Sequence, residues 1–128
     1  MSIMTGERAV VAALKELKAI VTIPVYKYEK LEGYNGDYIA VNHLPFPHTE
    51  DVENGVVNVN VHVPKLRTNQ PNTKRLAELV DLIIGSFPFD KNIDGFYFYF
   101  LTDSRPSPDN DNTYYINLRF NVIYNNLN

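Results

Sequence analysis

One acidic segment has ligand spacing that resembles a metal-binding loop. Asp90, Asn92, Asp94 and Gly95 reproduce the first half of a calcium loop, with oxygen ligands at alternate positions and a glycine at the bend. The bidentate carboxylate that completes such a loop would fall at Leu101, which has no ligand atom. The segment therefore predicts a turn that leads into a strand, and not a calcium site.

The three histidines are the other potential metal ligands. His48 lies beside Glu50 and Asp51 in a polar segment, whereas His62 occupies a polar position of an alternating strand pattern. No two of His43, His48 and His62 have the four-residue spacing on a helix that a zinc hydrolase would require. The spacing predicts no metal site.

Nucleophilic chemistry has no recognisable motif either. None of the four serines is flanked by the glycines of a nucleophile elbow, and the six glycines are scattered singly, so no loop can cradle a phosphate. The chain is expected not to be an enzyme and to need no cofactor. A catalytic carboxylate pair outside the known motifs stays open as an alternative.

Length and charge limit the remaining classes. The 128 residues fit one domain, residues 1–128, with a single core. A net charge of -3 gives no electrostatic footprint for specific nucleic-acid binding. The chain has no cysteine, and no stretch of it is apolar enough to predict a membrane span.

Two strands with one buried face must position any site. In the segment Val56 to Val63, valines alternate with Asn58, Asn60 and His62, which is the two-residue period of a half-buried strand. The closing segment alternates in the same way. Its apolar positions are Ile116, Leu118, Phe120, Val122 and Tyr124.

Two amphipathic helices are predicted, over residues 7–20 and from Asn72 to Gly85. Thr5 is expected to cap the first helix, and Asn72 the second. Lys74 and Arg75 stand in the first turn of the second helix, where positive charge opposes the helix dipole. One hypothesis is that these two cations meet acidic residues of another subunit.

The element order predicted along the chain is α-β-β-β-α-β-β. The economical arrangement is an α+β fold, with a mostly antiparallel sheet of about five strands and both helices packed on one face. The opposite face would then present amides together with Tyr97, Tyr99 and Arg119, either to solvent or to a protein partner. Residues 103–112 are predicted to form a mobile loop.

The long polar connection from Pro45 to Gly55 is a second candidate contact surface. It contains His48, Glu50 and Asp51, and connections of this length are often functional. It is interpreted as an arm that reaches a neighbouring subunit, or as a loose loop.

The order of these segments carries a family resemblance. It involves the following residues: Val10, Leu14 and Leu17; Val25 and Tyr26; Tyr38 to Val41; Val57 to Val63; Leu76, Leu79, Val80 and Ile83; Tyr115 to Phe120. Over nearly the whole chain this pattern resembles the tail-terminator or tail-completion proteins of long-tailed bacteriophages, which close the tail tube and join it to the head.

The resemblance implies a structural protein of a phage or prophage, found at the tail-head junction of the virion and in the bacterial host cytoplasm during assembly. It implies a homohexameric ring whose partners are further copies of the chain, the tail tube protein and the head connector protein. DNA would pass through the ring without specific binding. Neither a cofactor nor a catalytic residue is implied.

Three alternatives remain open. The chain could be a head-closure, neck or minor tail protein at the same junction. It could instead be a small-molecule or regulatory binding module that uses the face with Tyr97, Tyr99 and Arg119. An enzyme would need a cleft that joins titratable residues with shifted pKa values.

Overall fold

The computed structural model describes residues 4–47 and 52–125, which form two helices and one sheet. No helix among the described residues combines the length and the apolar character that crossing a bilayer requires. The elements in chain order are α1 (Thr5–Ile20), β1 (Val25–Lys27), β2 (Tyr38–His43), β3 (Val52–Pro64), α2 (Thr73–Ser86), β4 (Phe96–Asp103), β5 (Ser107–Pro108) and β6 (Thr113–Asn125).

The predicted α+β class is confirmed, but the sheet differs in detail. The strands lie in the order β1-β2-β3-β6-β4, and β5 pairs with β6 off this path. The sheet is mixed, because β1 runs parallel to β2 while the other pairings between described strands are antiparallel. The predicted order lacked β5, which forms where Ser107 and Pro108 pair with Tyr115 and Tyr114 in the segment expected to be a mobile loop.

Both helices contribute to one core against the same face of the sheet. The valines of β3 at positions 57, 59, 61 and 63 are at most 2% exposed, and Leu118, Phe120 and Val122 of β6 are fully buried beside them. Leu17 of α1 and Leu76 of α2 are equally buried in that core. The period of two predicted in both strands is therefore confirmed.

The helix termini match the prediction at one helix only. Asn72 caps α2, since its side-chain oxygen accepts a hydrogen bond from the backbone N–H of Arg75 at 3.2 Å. The prediction that Thr5 caps α1 is wrong. Met4 is the N-cap residue, and the buried Thr5 hydroxyl donates to Oε2 of the equally buried Glu53 at 2.6 Å.

The connection between β2 and β3 is shorter than predicted. β3 already begins at Val52 and pairs with β6 from there, so residues 52–55 belong to the sheet. Phe46 folds back over Gly55, and a Cβ at Gly55 would overlap its ring. The predicted connection from Pro45 to Gly55 therefore ends before Val52, and the arm that reaches a neighbouring subunit stays a prediction. His48, Glu50 and Asp51 lie outside the described residues.

The segment from Asp90 to Gly95 forms a turn that leads into β4. Gly95 has a φ of 95°, and its N–H donates to Oδ1 of Asn92 at 2.9 Å. Asp90 accepts from Tyr99 at 3.2 Å, whereas Asp94 pairs with Lys15 at 3.0 Å. Asp90 and Asp94 therefore contact different side chains, Tyr99 and Lys15.

Candidate functional site

The face of the sheet away from the helices carries the polar residues of β2, β3 and β6. Asn58 lies opposite Arg119, Asn60 opposite Asn117, and His62 opposite Tyr115. The predicted polar face is therefore present, and it includes Arg119 as expected.

Four amides on this face form one hydrogen-bonded row across three strands. Asn58 Nδ2 donates to Asn42 Oδ1 at 3.0 Å. Asn117 Nδ2 donates to Asn58 Oδ1 at 3.2 Å and to Asn60 Oδ1 at 2.8 Å. Asn58 is buried and the other three amides are half-buried. Because an amide shielded from water is costly to leave unpaired, this row fixes the side chains in one arrangement.

Next to this row, three aromatic rings stack across the same strands. Tyr38, His62 and Tyr115 are cross-strand neighbours. The His62 ring lies 4.3 Å from that of Tyr38 at an interplanar angle of 8°, and 5.1 Å from that of Tyr115 at 24°. His62 is 5% exposed. The prediction that it faces solvent is wrong, because the two tyrosines and the segment after β5 cover it.

A chain of hydrogen bonds joins His62 to the segment after β5. Thr113 Oγ1 lies 2.9 Å from His62 Nδ1 and 2.5 Å from Asp111 Oδ1, while the Tyr38 hydroxyl donates to Asp111 Oδ2 at 2.5 Å. An ionised carboxylate only accepts, so Thr113 donates to Asp111 and in turn accepts from His62 Nδ1. Asp109 Oδ2 lies 3.7 Å from the same nitrogen.

The pKa values of this group follow from burial and these hydrogen bonds. Burial lowers the pKa of His62, against the opposing charges of Asp111 and Asp109. Burial also raises the pKa of Tyr38 far above its usual value, and the bond to Asp111 adds to this. Burial alone would raise the pKa of Asp111, but the hydrogen bonds from Thr113 and Tyr38 outweigh it and lower that pKa. At neutral pH, His62 is neutral and Asp111 is charged.

A cleft of about 710 Å³ runs along this face between β5 and the connection after β1. The amide row and the stacked rings line it, together with Lys30, Arg119 and Asp109. Such a cleft can accept a planar ligand with several hydrogen-bonding groups. Its end at His62 also brings one imidazole and two carboxylates together.

The predicted tyrosines lie apart from this cleft. Tyr97 and Tyr99 belong to β4 at the sheet edge, where their hydroxyls contact Asn92 at 3.5 Å and Asp90 at 3.2 Å. Arg119 and the predicted amides Asn58, Asn60 and Asn117 line the cleft, whereas Tyr97 and Tyr99 do not.

Lys74 and Arg75 lie at the start of α2. Arg75 Nε donates to Asp37 Oδ2 at 2.7 Å, and its Nη1 lies 3.8 Å from Glu78 Oε1. Arg75 thus finds acidic partners within its own chain. The hypothesis of a subunit contact at Lys74 and Arg75 stays a prediction.

Sequence reasoning missed Asp109, Asp111 and Thr113 as neighbours of His62. Residues 103–112 were interpreted by composition alone, as a polar loop. One signal was present: once Asn60 pairs with Asn117, the antiparallel register places Pro64 opposite Thr113. The acidic residues just before Thr113 must then lie near His62.

Comparisons with known proteins give the fold alone. No protein-family model matches the chain, and no curated protein matches it. Among solved structures, 24 chains match. One of them covers 97% of this chain and 96% of its own length, with a TM-score of 0.57 and 18% sequence identity. The name of that protein describes no activity, ligand or partner.

Proposed function

We propose that this chain is a non-enzymatic structural protein of a phage or prophage that ends the tail tube and joins it to the head, as a ring of identical subunits. The order of its helices and strands resembles that of tail terminators. One observation carries the assembly argument: exposed apolar side chains lie at both edges of the sheet.

The two edges present different apolar patches. The β4 edge carries Phe100, 37% exposed, and Leu101, 54% exposed, at a register shift in the strand. At the other edge, Tyr28 follows β1 and is 39% exposed, and Leu31 in the next connection is 68% exposed. We call these the β4 patch (Phe100, Leu101) and the β1 patch (Tyr28, Leu31).

Two unlike patches suit a head-to-tail ring. A ring that closes by rotation uses two different complementary surfaces on each subunit, whereas a two-fold dimer uses one surface twice. The β1 and β4 patches lie at opposite ends of the strand order, so a β4 patch on one copy can contact a β1 patch on the next. The net charge of -3 suits a ring that DNA crosses without being held.

Native mass spectrometry of the purified chain tests the ring. We expect a hexamer for the wild type, and smaller species for Leu101→Glu and for Leu31→Glu, because each substitution places a charge in one patch. Leu82→Glu is the matched control, since Leu82 is 43% exposed on α2, away from both patches.

Mixing the two patch variants separates head-to-tail from two-fold association. Each variant retains one intact patch, so the mixture should form a dimer of one copy of each and stop there. A wild type that stays monomeric, even with purified tail tubes, would contradict the proposal. So would variants that assemble as the wild type does.

The partner on each side distinguishes the tail terminator from its neighbours in the virion. A terminator at the tail-head junction should bind purified tail tubes before it binds the head connector protein. A head-closure or neck protein should bind portal-bearing heads instead, and a minor tail protein should bind tails without blocking their joining to heads. Pelleting the chain with each purified particle measures this preference.

The cleft favours a second candidate, a non-enzymatic ligand-binding module. Its amide row and its stacked rings are held in place before any ligand arrives, which lowers the cost of binding. A chain that stays monomeric, together with a small molecule whose NMR contacts map to Asn60, Tyr115 and Arg119, would favour this module over the ring.

A further inference from the structure

We propose that His62, Asp109 and Asp111, which line the cleft, form a binding site for a first-row divalent cation, Zn²⁺ by preference. This site is independent of ring formation and goes beyond the proposed structural role.

The distances between the donor atoms suit a single ion. One ligand atom from each of the three residues lies within 4.8 Å of the other two. Two donors that share a tetrahedral ion at bond lengths of 2.0–2.1 Å lie about 3.3–3.4 Å apart. His62 Nδ1 and Asp109 Oδ2, 3.7 Å apart, are a little wider than this. The donors must therefore draw together around the ion, and the Asp109 side chain, 41% exposed, has room to move toward the other two.

The surroundings hold the ligands in place. Asp111 accepts from Tyr38, and from both the hydroxyl and the backbone N–H of Thr113, so its carboxylate is oriented before an ion arrives. His62 is clamped between two stacked rings, and its side chain is 7% exposed. Supporting contacts of this kind orient ligands in metal sites.

The charges also favour a cation. Neither Asp109 nor Asp111 forms an ion pair with a lysine or arginine of the described residues; the basic group beside Asp109 is His62. Lys30 lines the same cleft, but its ammonium donates to the Tyr34 carbonyl at 3.1 Å. The two carboxylates therefore repel each other, and no ion pair with a lysine or arginine of the described residues offsets that repulsion. A divalent ion would supply the missing positive charge.

The ligand types select among ions. An imidazole nitrogen with two carboxylates suits Zn²⁺ and its neighbours, whereas Ca²⁺ and Mg²⁺ prefer oxygen ligands alone. Without an ion, Nδ1 carries the ring proton and donates to Thr113. Binding therefore requires the other tautomer, in which the proton is on Nε2 and the lone pair of Nδ1 faces the ion. The hydrogen bond from Nδ1 to Thr113 is lost, while the Thr113 hydroxyl keeps its hydrogen bond to Asp111.

Such an ion would join distant parts of the chain. His62 belongs to the central strand β3, whereas Asp109 and Asp111 lie between β5 and β6. The bound ion would therefore fix the segment after β5 against the sheet and close one end of the cleft.

Calorimetric titration of ZnCl₂ into the full chain, after treatment with a chelator, tests the site. We expect binding to the wild type, and about tenfold or greater loss of affinity in Asp109→Asn, which removes a ligand from an exposed position that tolerates the change. Asp81→Asn is the control, because Asp81 is an exposed aspartate on α2 and the charge change is the same.

A second measurement locates the ion. Co²⁺ in place of Zn²⁺ should give visible absorption bands that Asp109→Asn weakens and Asp81→Asn leaves intact, and Zn²⁺ should raise the melting temperature of the wild type but not of Asp109→Asn. CaCl₂ should bind more weakly than ZnCl₂. Absence of Zn²⁺ binding to the wild type, or equal binding to Asp109→Asn, would overturn the proposal.

Discussion

The two faces of the sheet are built from alternate residues of the same strands and are stabilised in different ways. On the helix side, Val59 and Phe120 are fully buried among apolar neighbours. On the other side, Asn58 is 8% exposed and His62 is 5% exposed, although no helix covers them. Their cover comes from cross-strand neighbours and from the segment after β5.

This difference separates two sources of order. The apolar face gains free energy from every carbon removed from water, in rough proportion to area and without strict geometry. The polar face gains little from burial and depends on complete pairing, because an unpaired amide or imidazole is destabilising there. Small geometric changes should therefore matter more on the polar face, and large volume changes more on the apolar face.

The largest expected effect comes from Phe120, which the core surrounds. Its ring lies 5.2 to 6.3 Å from those of four other phenylalanines, Phe87, Phe89, Phe98 and Phe100. Phe120→Ala should lower the free energy of unfolding by about 3–5 kcal/mol, measured by chemical denaturation, because it leaves a cavity.

The adjacent Arg119 on the opposite face is the matched control. It is exposed and lines the cleft. Arg119→Ala should change the free energy of unfolding by at most about 0.5 kcal/mol. Equal losses for Phe120→Ala and Arg119→Ala would remove the contrast between the faces.

An intermediate effect is expected in the amide row. Asn58→Ala removes the hydrogen-bond partner of the half-buried Asn42 and one of the two acceptors of Asn117, and should lower the free energy of unfolding by about 1–3 kcal/mol. Asn121→Ala is the comparison, since no hydrogen bond joins the Asn121 side chain to another described residue. If both variants unfold alike, the row does not stabilise the polar face.

The smallest effect is a pH dependence at His62, measured with a chelator present. Its pKa is lowered in the folded chain, so the unfolded chain binds the extra proton first as the pH falls below 6.5. The stability present above that value is therefore lost as the pH falls through the folded pKa. His62→Gln should show a smaller loss of stability between pH 7 and 5, measured by denaturation at each pH.

His43→Gln is the comparison variant, because it makes the same replacement at the end of β2, outside the cleft. The pKa of Asp111 is also lowered in the folded chain, so stability falls again as the pH drops below the ordinary Asp111 pKa of 3.8. That fall lies outside the pH range from 7 to 5. A wild-type profile in His62→Gln would show that another group titrates.

Much of the fold was predictable because local pattern and tertiary contact agree. Only a strand buries all the alternating valines of β3 on one face, and only a helix does the same for the apolar stripe through Leu76 and Ile83. The structure has a strand and a helix at these places. β1 lies at the edge of the sheet and begins directly after Pro24, which cannot donate a ladder hydrogen bond. The prediction of Thr5 as a cap is wrong because the sequence does not show the distant partner. A hydroxyl near a helix start can bond either to the first turn of the helix or to a distant carboxylate, here that of Glu53.

The candidate site was predictable only in part. Arg119 and the amides follow from strand alternation, but Asp109 and Asp111 had no periodicity to place them. The short strand β5 also lacked a pattern, since two residues cannot display a period.

The sequence by itself determined which residues of each strand face the core, because that choice depends on side-chain alternation within a few neighbouring positions. Only the tertiary structure decided what covers the polar face. The polar partners of His62, Asp109 and Thr113, lie 47 and 51 residues away along the chain, and their approach depends on how β3 and β6 pair. The pairing of β1 with β2 and the packing of the segment after β5 over His62 also join residues that are distant in sequence. No local pattern specifies such contacts.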